Sequence, residues 1–155
     1  MDVNITIIGA GVIGLAVARK LSAEYEDIVV LEQNRIFGQE TSSRNSEVIH
    51  SGIYYPKDTL KDKLCVEGNN MLYRFCENYD VGYQNCGKLI IAHDDEQLTE
   101  LLSIKKNGEI NGVVGVELLS TTEIARIEPN ISAKYALFVP STGIVDSHRL
   151  MHKLE

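Results

Sequence analysis

The chain has 155 residues, of which 44% are apolar and 24% are charged, and this composition is typical of a soluble globular protein. Its 22 Asp and Glu outnumber its 15 Lys and Arg, and the net charge of −7 argues against nucleic acid or an anionic membrane surface as a partner. No apolar run approaches the ~20 residues that a membrane-spanning helix needs. The three cysteines form no CxxC pair, so we expect reduced thiols, no metal site and a cytoplasmic location.

The first predicted elements form a β-α-β unit. The β-branched run Ile5–Ile8 ends at a glycine, and Ile28–Leu31 is a second run of the same kind, so we expect two parallel strands that are buried on both faces. Residues 12–24 between them predict a helix with a right-handed crossover. The apolar residues that share one face of this helix are Ile13, Val17 and Leu21.

A long helix follows the loop at 33–46. Asp58 is a candidate N-cap, and the helix should reach Tyr79. The apolar side chains expected on one side of this helix are Leu60, Leu64, Met71, Leu72, Phe75 and Tyr79. Residues 88–92 and 135–139 predict strands.

Three further helices are marked by their ends. Residues 94–107 begin with acids and are followed by Gly108, which predicts a glycine C-cap. Residues 120–123 read Ser-Thr-Thr-Glu, which is a capping box, and this helix must end near Pro129. Asp146 is a candidate N-cap for a last helix.

Residues 9–14 read GAGVIG, the GxGxxG pattern, between a predicted strand and a predicted helix. Gly9 permits the tight turn, Gly11 lets a pyrophosphate approach the backbone, and Gly14 lets the helix pack closely on the strand. The N-terminus of the helix offers N–H groups and a partial positive charge to phosphates. The pattern therefore predicts a dinucleotide site, against the simpler interpretation of a glycine-rich turn.

Glu32 ends the second predicted strand. A carboxylate at this position can accept hydrogen bonds from both ribose hydroxyls and would repel a 2′-phosphate, which disfavours NADP. These features do not distinguish NAD from FAD.

Residues 41–55 read TSSRNSEVIHSGIYY, and this segment resembles the FAD-dependent oxidoreductases of the D-amino-acid-oxidase type. In that family the corresponding segment runs beneath the flavin. The resemblance is greatest to the L-2-hydroxyglutarate dehydrogenase/oxidase subgroup. The matching islands keep the family's order and are Asn45-Ser46, 48–50, 52–55, 85–88, 128–131 and 139–145.

The resemblance implies an α/β fold, with a Rossmann-like FAD-binding β-α-β unit of parallel strands and the start of an α+β substrate domain. It assigns 1–80 to the FAD-binding domain and 81–155 to the substrate domain, with a return toward the first. The cofactor it implies is FAD. The reaction it implies is hydride transfer to flavin from a small 2-hydroxy acid, which would convert L-2-hydroxyglutarate to 2-oxoglutarate.

The resemblance also assigns roles to individual residues. The implied cofactor-binding residues are Gly9, Gly11, Ile13, Gly14, Glu32, Gln33, Thr41, Ser42, Ser43, Ser46, Val48 and His50. The implied substrate-binding residues are Tyr54 and Tyr55. His50 is the candidate catalytic base for the hydroxyl proton, and packing beside the flavin ring is the alternative role.

Two other functions stay open beside this one. Glycerol-3-phosphate dehydrogenases and amino-acid oxidases share parts of the segment, but the former carry an Arg where this chain has Tyr54, and a tyrosine is a poor phosphate ligand. The second possibility is a nucleotide-binding remnant without turnover.

Two features depart from the family. Glu47 stands where the subgroup usually has glycine, which would weaken cofactor binding if its charge faced the phosphates. Chains of this family are also roughly twice this length or more by ordinary domain size. We therefore expect an incomplete family fold, with self-association or a partner chain supplying the rest.

Overall fold

The computed structural model describes residues 3–155, which form two compact units. The first unit contains the residues up to Glu47 together with Cys76–Gly82 and Val145–Glu155, and the second contains Val48–Phe75 and Tyr83–Ile144. The assignment of 1–80 to cofactor binding and 81–155 to substrate binding concerns function and stays a prediction.

The described chain is a mixture of helices and short strands. The helices are α1 (Val12–Leu21), α2 (Leu60–Tyr79), α3 (Asp95–Asn111), α4 (Thr121–Ile127) and α5 (Ser147–Leu154), with a 3-10 helix at Thr41–Ser43. The strands are β1 (Ile5–Ile8), β2 (Ile28–Leu31), β3 (Val48–Ile49), β4 (Tyr83–Gln84), β5 (Leu89–Ala92), β6 (Glu117–Ser120), β7 (Tyr135–Phe138) and β8 (Gly143–Val145). The predicted α/β class is confirmed.

The first unit is organised around the β-α-β unit. β1 and β2 pair in parallel, from Ile5 opposite Ile28 to Ile8 opposite Leu31, as predicted. α1 connects the strands and packs against α5. The core residues of this unit are Ala10, Leu15 and Met151, with Val12, Val30, Phe37 and Leu154 packed against them.

The prediction that both strands are buried on both faces was wrong. Ile8 is 87% exposed and Leu31 is 52% exposed. On α1, Leu15 faces the core, whereas Ile13 is 74% exposed. The described chain contributes only two strands to this sheet, so one face and one edge of β1 have no covering element within residues 3–155.

The second unit contains a three-stranded antiparallel sheet in the order β5-β7-β6, and a further three-stranded sheet has the order β3-β8-β4. β7 lies centrally in the first of them, with Phe138 opposite Leu89 on one side and Glu117 on the other. α3 and α4 pack against this sheet. The main core cluster of the unit consists of Ile53, Ala92, Leu101, Val113, Val116, Leu137 and Val139.

α2 buries a different face from the predicted one. Leu60 is 75% exposed and Leu64 is 62% exposed, whereas Asp62 and Asn69 are buried. Asn69 is buried because its amide donates to two backbone carbonyls of its unit. The buried face of this helix therefore combines hydrogen-bonded polar side chains with apolar ones such as Val66, which packs against the core of its unit.

The N-cap of α2 also differs from the prediction. The hydroxyl of Thr59, and not the side chain of Asp58, accepts the helical N–H of Asp62 at 3.2 Å. Asp58 has a left-handed φ of +65°, and its own N–H donates to the Asp62 carboxylate at 3.1 Å. The Thr59 hydroxyl thus caps the helix, and the first-turn carboxylate of Asp62 accepts the backbone N–H of the residue before the cap.

α3 ends four residues later than predicted. Gly112 has a φ of +85° and is the C-cap, and the N–H of Val113 donates to Gly108 O at 2.9 Å. Gly108 lies inside the helix, where a Cβ would lie 2.7 Å from Ile53 Cγ1. Gly108 is therefore a close-packing position, and Gly112 ends the helix.

The two remaining caps are confirmed. The N–H of Ser120 donates to Glu123 Oε2 at 2.8 Å in the capping box of α4. Asp146 Oδ1 accepts the N–H of Arg149 at 2.8 Å at the start of α5. The sequence analysis missed β3, β4 and β8, which have only two or three residues each, and β6, whose residues Glu117–Ser120 do not alternate between polar and apolar.

We expect Gly112→Ala to lower the free energy of unfolding by about 1 kcal/mol, because alanine is strained at this positive φ although a Cβ would contact nothing within 4 Å. Gly112→Asn should lower it less, because asparagine tolerates the left-handed region. Urea titration measures both. Equal losses for the two variants would show that backbone strain does not control this helix end.

Candidate functional site

Three glycines shape the turn between β1 and α1. Gly9 has a φ of +96°, and its N–H donates to Leu31 O at 2.7 Å. A Cβ on Gly14 would lie 1.9 Å from Gly9 O, so a side chain there would prevent α1 from approaching the end of β1. A Cβ on Gly11 would lie 2.9 Å from Ser42 Oγ. The absence of side chains on Gly11 and Gly14 therefore lets Ser42 and α1 lie close to the turn.

The N-terminus of α1 has backbone donors available for an anion. The N–H of Val12 donates to Ser42 Oγ at 3.0 Å. The N–H groups of Ile13 and Gly14, also in the first turn, have no acceptor within the helix. Such donors, together with the helix dipole, favour a phosphate or carboxylate.

Glu32 follows β2 and lies beside the glycine turn. Its Oε2 accepts the N–H of Ala10 at 2.8 Å, and its Oε1 accepts the N–H of Asn34 at 2.9 Å. These bonds, the one from Asn34 first, hold the pKa of the Glu32 carboxyl below its ordinary value. The carboxylate is thus charged and held in a fixed orientation, as a ligand for hydroxyl donors requires.

The structure brings only some of the predicted cofactor residues to the turn. Ser42 reaches it, whereas Ser43 donates its hydroxyl to a carbonyl within its own turn. Gln33, Thr41 and Ser46 are exposed, and within residues 3–155 no hydrogen bond joins their side chains to the glycine turn. Ile13 has its backbone N–H at the turn and its side chain in solvent.

A cleft of about 710 Å³ opens beside Glu32 in the first unit. Its walls include the apolar residues Ala18, Val30 and Phe37, and Arg35 contributes a charged group. Apolar walls with a few convergent polar groups are typical of ligand clefts. The sequence analysis did not identify Arg35 as a cleft residue. The one indication in the sequence is that Arg35 lies in the segment that follows Glu32.

His50 directly follows β3 in the second unit, and its side chain is exposed. Its carbonyl accepts Asn69 Nδ2 at 3.0 Å and the thiol of Cys65 at 3.6 Å. Burial raises the pKa of the Cys65 thiol, so it stays protonated and can act as a donor. These hydrogen bonds hold the backbone of His50. Its exposed imidazole can accept a proton from a ligand or pack against a planar ring. Val48, in β3, is half-buried opposite Ile144.

The turn after His50 is held by two asparagines of α3. Asn107 Nδ2 donates to Ile53 O at 2.7 Å and to Tyr55 O at 2.9 Å. Asn111 Nδ2 donates to Gly52 O at 3.1 Å and to Tyr55 O at 2.7 Å. Sequence reasoning missed both residues, although their spacing of four places them on one helix face.

The two tyrosines of this turn differ in their surroundings. Tyr54 is 48% exposed, and Lys88 Nζ lies 4.4 Å from the centre of its ring. Tyr55 is half-buried, with Lys61 Nζ at 5.7 Å from its ring centre. The ammonium group of a lysine therefore lies over each ring, in a cation–π arrangement.

A parallel β-α-β unit with this glycine turn and a carboxylate after β2 defines the dinucleotide-binding class of α/β proteins. The family profile described as DAO, FAD dependent oxidoreductase, matches residues 4–155, and the chain belongs to this family. The predicted family is confirmed.

Three curated relatives are named L-2-hydroxyglutarate dehydrogenase. The Arabidopsis thaliana protein is 43% identical over 98% of this chain and 32% of its own length. The Homo sapiens protein is 41% identical over 92% of this chain and 31% of its own length. The Indibacter alkaliphilus protein is 38% identical over 94% of this chain and 37% of its own length. The chain thus spans about a third of the length of these relatives.

Two solved structures are similar to the chain. L-alpha-glycerophosphate oxidase from Mycoplasma pneumoniae, with FAD bound, has a TM-score of 0.92 and 26% identity over 99% of this chain and 42% of its own. Glycine oxidase from Bacillus cereus has a TM-score of 0.82 and 22% identity over the same shares, and shows the fold alone. Among residues 3–155, no helix has both the length and the apolarity to cross a membrane.

We expect Glu32→Gln to remove part of the pH dependence of stability. The folded-state pKa of Glu32 is depressed, so its charged form contributes stability above the ordinary pKa of 4.5, and this is lost as pH falls through the folded-state value. In the variant, unfolding should depend less steeply on pH in that acidic range. Chemical denaturation at a series of pH values measures the slope, and identical slopes would contradict the assigned hydrogen bonds.

Proposed function

We propose that this chain is part of an FAD-dependent oxidoreductase and supplies part of its cofactor-binding site. We propose further that the enzyme oxidises L-2-hydroxyglutarate to 2-oxoglutarate. The observation that carries the proposal is the 38–43% identity, along nearly the whole chain, to relatives of that name. The glycine turn and the fixed Glu32 carboxylate support the cofactor assignment.

The residues around the turn fit a dinucleotide. The lack of a side chain on Gly11 leaves space for the Ser42 hydroxyl beside the turn, and the first-turn N–H groups of α1 would donate to the pyrophosphate. Glu32 would accept the ribose hydroxyls, and its depressed pKa keeps the negative charge that rejects a 2′-phosphate. The hydroxyl of Ser42, already in contact with Val12, lies where it can add a polar contact.

The second unit would supply the groups that act on the substrate. Bound FAD would accept the hydride from C2 of the 2-hydroxy acid, while the hydroxyl proton passes to a base. His50 is the candidate base, because its imidazole is exposed and its backbone is held by Asn69. Packing of the imidazole against the flavin ring is the alternative role, and both need the same fixed backbone.

Glycerol 3-phosphate is the second candidate substrate, because the glycerophosphate oxidase structure has a TM-score of 0.92 against this chain. Tyr54 argues against it, since a phenol beside one lysine offers fewer donors to a phosphate than an arginine does. The greater identity of the L-2-hydroxyglutarate dehydrogenases also favours the first substrate.

The cellular location belongs to this proposal as well. The three cysteines of the chain are free, which supports the predicted cytoplasmic, reducing surroundings. The Arabidopsis thaliana and Homo sapiens relatives carry the word mitochondrial in their names, and the Indibacter alkaliphilus relative does not.

In the enzyme assembled to the full length of its relatives, we expect L-2-hydroxyglutarate to reduce the flavin faster than glycerol 3-phosphate or D-amino acids. The reason is the sequence identity together with Tyr54 in place of a phosphate-binding arginine. Stopped-flow measurement of flavin bleaching with each substrate tests this. Faster reduction by glycerol 3-phosphate would overturn the substrate assignment and leave the cofactor assignment standing.

For the 155-residue chain by itself, we expect weak FAD binding or none, no turnover, and either self-association or dependence on a partner chain. β1 is an apolar strand with one paired edge in the described chain, and Ile8 on it is 87% exposed. Ile8→Thr keeps a β-branched side chain and should reduce the association. Light scattering over a range of concentrations and a flavin titration measure both effects. A stable monomer that holds FAD stoichiometrically and turns over would contradict the expectation.

A further inference from the structure

Glu47 has an unusual backbone conformation for its residue type. Its φ is +57°, in the left-handed region where glycine is favoured and a glutamate is strained. A strained residue persists when surrounding contacts over-determine its conformation. The contacts of Glu47 therefore indicate what the conformation achieves.

The carboxylate of Glu47 binds the start of α5. Its Oε1 accepts the N–H of Ser147 at 3.0 Å and the hydroxyl of Ser147 at 2.8 Å. These two bonds hold the pKa of the Glu47 carboxyl below its ordinary value. The charge is thus engaged at the helix, so the expectation that it could face a bound phosphate has no support in this arrangement.

Asn45 closes a ring of hydrogen bonds around this contact. The N–H of Glu47 donates to Asn45 Oδ1 at 2.7 Å, and Asn45 Nδ2 lies 3.4 Å from Ser147 Oγ. The same Nδ2 donates to Ser42 O at 2.8 Å. The hydroxyl of Ser147 can donate to the glutamate and accept from the asparagine, which uses both of its capacities.

Further hydrogen bonds connect this ring of hydrogen bonds to the glycine turn. Ser42, whose carbonyl Asn45 holds, accepts the N–H of Val12 at its Oγ. α5, which carries Ser147, is itself packed in the first unit, where Met151 lies so close to Gly38 that a Cβ on the glycine would be 2.7 Å from its Sδ. The contact between Glu47 and Ser147 therefore joins the segment 42–47, which includes Ser42, to a packed helix.

We propose that Glu47 is a positioning residue for the dinucleotide site. By binding Ser147, it holds Asn45 and thereby places the hydroxyl of Ser42 on the first N–H of α1. The ligand part of this inference rests on the proposed function, whereas the positioning part concerns the chain alone. The residue acts through Asn45 and Ser42, and within residues 3–155 no hydrogen bond joins its side chain to the glycine turn.

The positioning is tested on the full 155-residue chain, labelled with ¹⁵N, by amide hydrogen exchange. In Glu47→Ala, exchange at Val12 and Ser147 should each be accelerated by roughly 3- to 10-fold, the effect of losing one ordinary hydrogen bond. Glu47→Gln, which keeps an acceptor oxygen, should restore most of the protection at both amides. Glu26→Ala is the control, because Glu26 is exposed in the same unit, and it should leave both amides unchanged.

Glu47→Gly provides a second variant that is safe for folding, because glycine adopts the positive φ without strain. It also lacks the carboxylate, so exchange at Val12 should be accelerated as in Glu47→Ala. The proposal is overturned if Val12 keeps its protection in both variants while Ser147 loses it. It is also overturned if Glu47→Gln exchanges as fast as Glu47→Ala.

The ligand arm uses titration of the same proteins with ADP. Wild type and Glu47→Gln should bind with similar Kd, and Glu47→Ala should bind about 3- to 10-fold more weakly, since one positioned hydroxyl is lost. No ADP binding by any of these proteins, together with the expected exchange pattern, would contradict the nucleotide site proposed for this chain and leave the positioning role intact. Equal Kd values for wild type and Glu47→Ala would show that Glu47 does not strengthen binding of the nucleotide, and would overturn that part of the proposal.

Discussion

Contact between the backbones of Gly14 and Gly9 is the constraint on which the first unit depends. A Cβ at Gly14 would lie 1.9 Å from Gly9 O, so this approach of α1 to the end of β1 exists only without a side chain. The approach fixes where the first turn of α1 lies. The N–H of Ala10 then meets Glu32, and the N–H of Val12 meets Ser42. One steric condition thus aligns the backbone donors, the carboxylate and the hydroxyl of the candidate site.

Polar side chains fix the irregular segments that carry the candidate functional residues. In the second unit, Asn69 holds the carbonyl of His50, and Asn107 holds that of Tyr55. In the first unit, Glu47 plays the equivalent part for Ser42 through Asn45. Each such bond contributes about 1 kcal/mol, and a buried amide without its partner would cost more. Loops can therefore be held in irregular conformations that no regular ladder of hydrogen bonds supports.

Apolar spacing was a poor guide to burial in the helices. Ile13 and Leu64 follow helical periodicity, yet both are exposed within the described chain. On α2, Leu64 is exposed and Asn69 is buried, because the two hydrogen bonds of its amide offset its desolvation. Helix ends were more predictable, because a cap depends on residues within one turn. Even there, Thr59 displaced Asp58, whose backbone is left-handed.

The sequence by itself determined the β-α-β unit, the glycine turn and the carboxylate after β2, because each depends on residues that are neighbours in the chain. It also placed the chain in its family, which the profile match over residues 4–155 confirmed. Only the tertiary structure decided which hydroxyl of 41–46 reaches the turn and what Glu47 binds. The partner of Glu47 is Ser147, 100 residues away, and no local pattern encodes a contact between segments that meet only when the chain has folded.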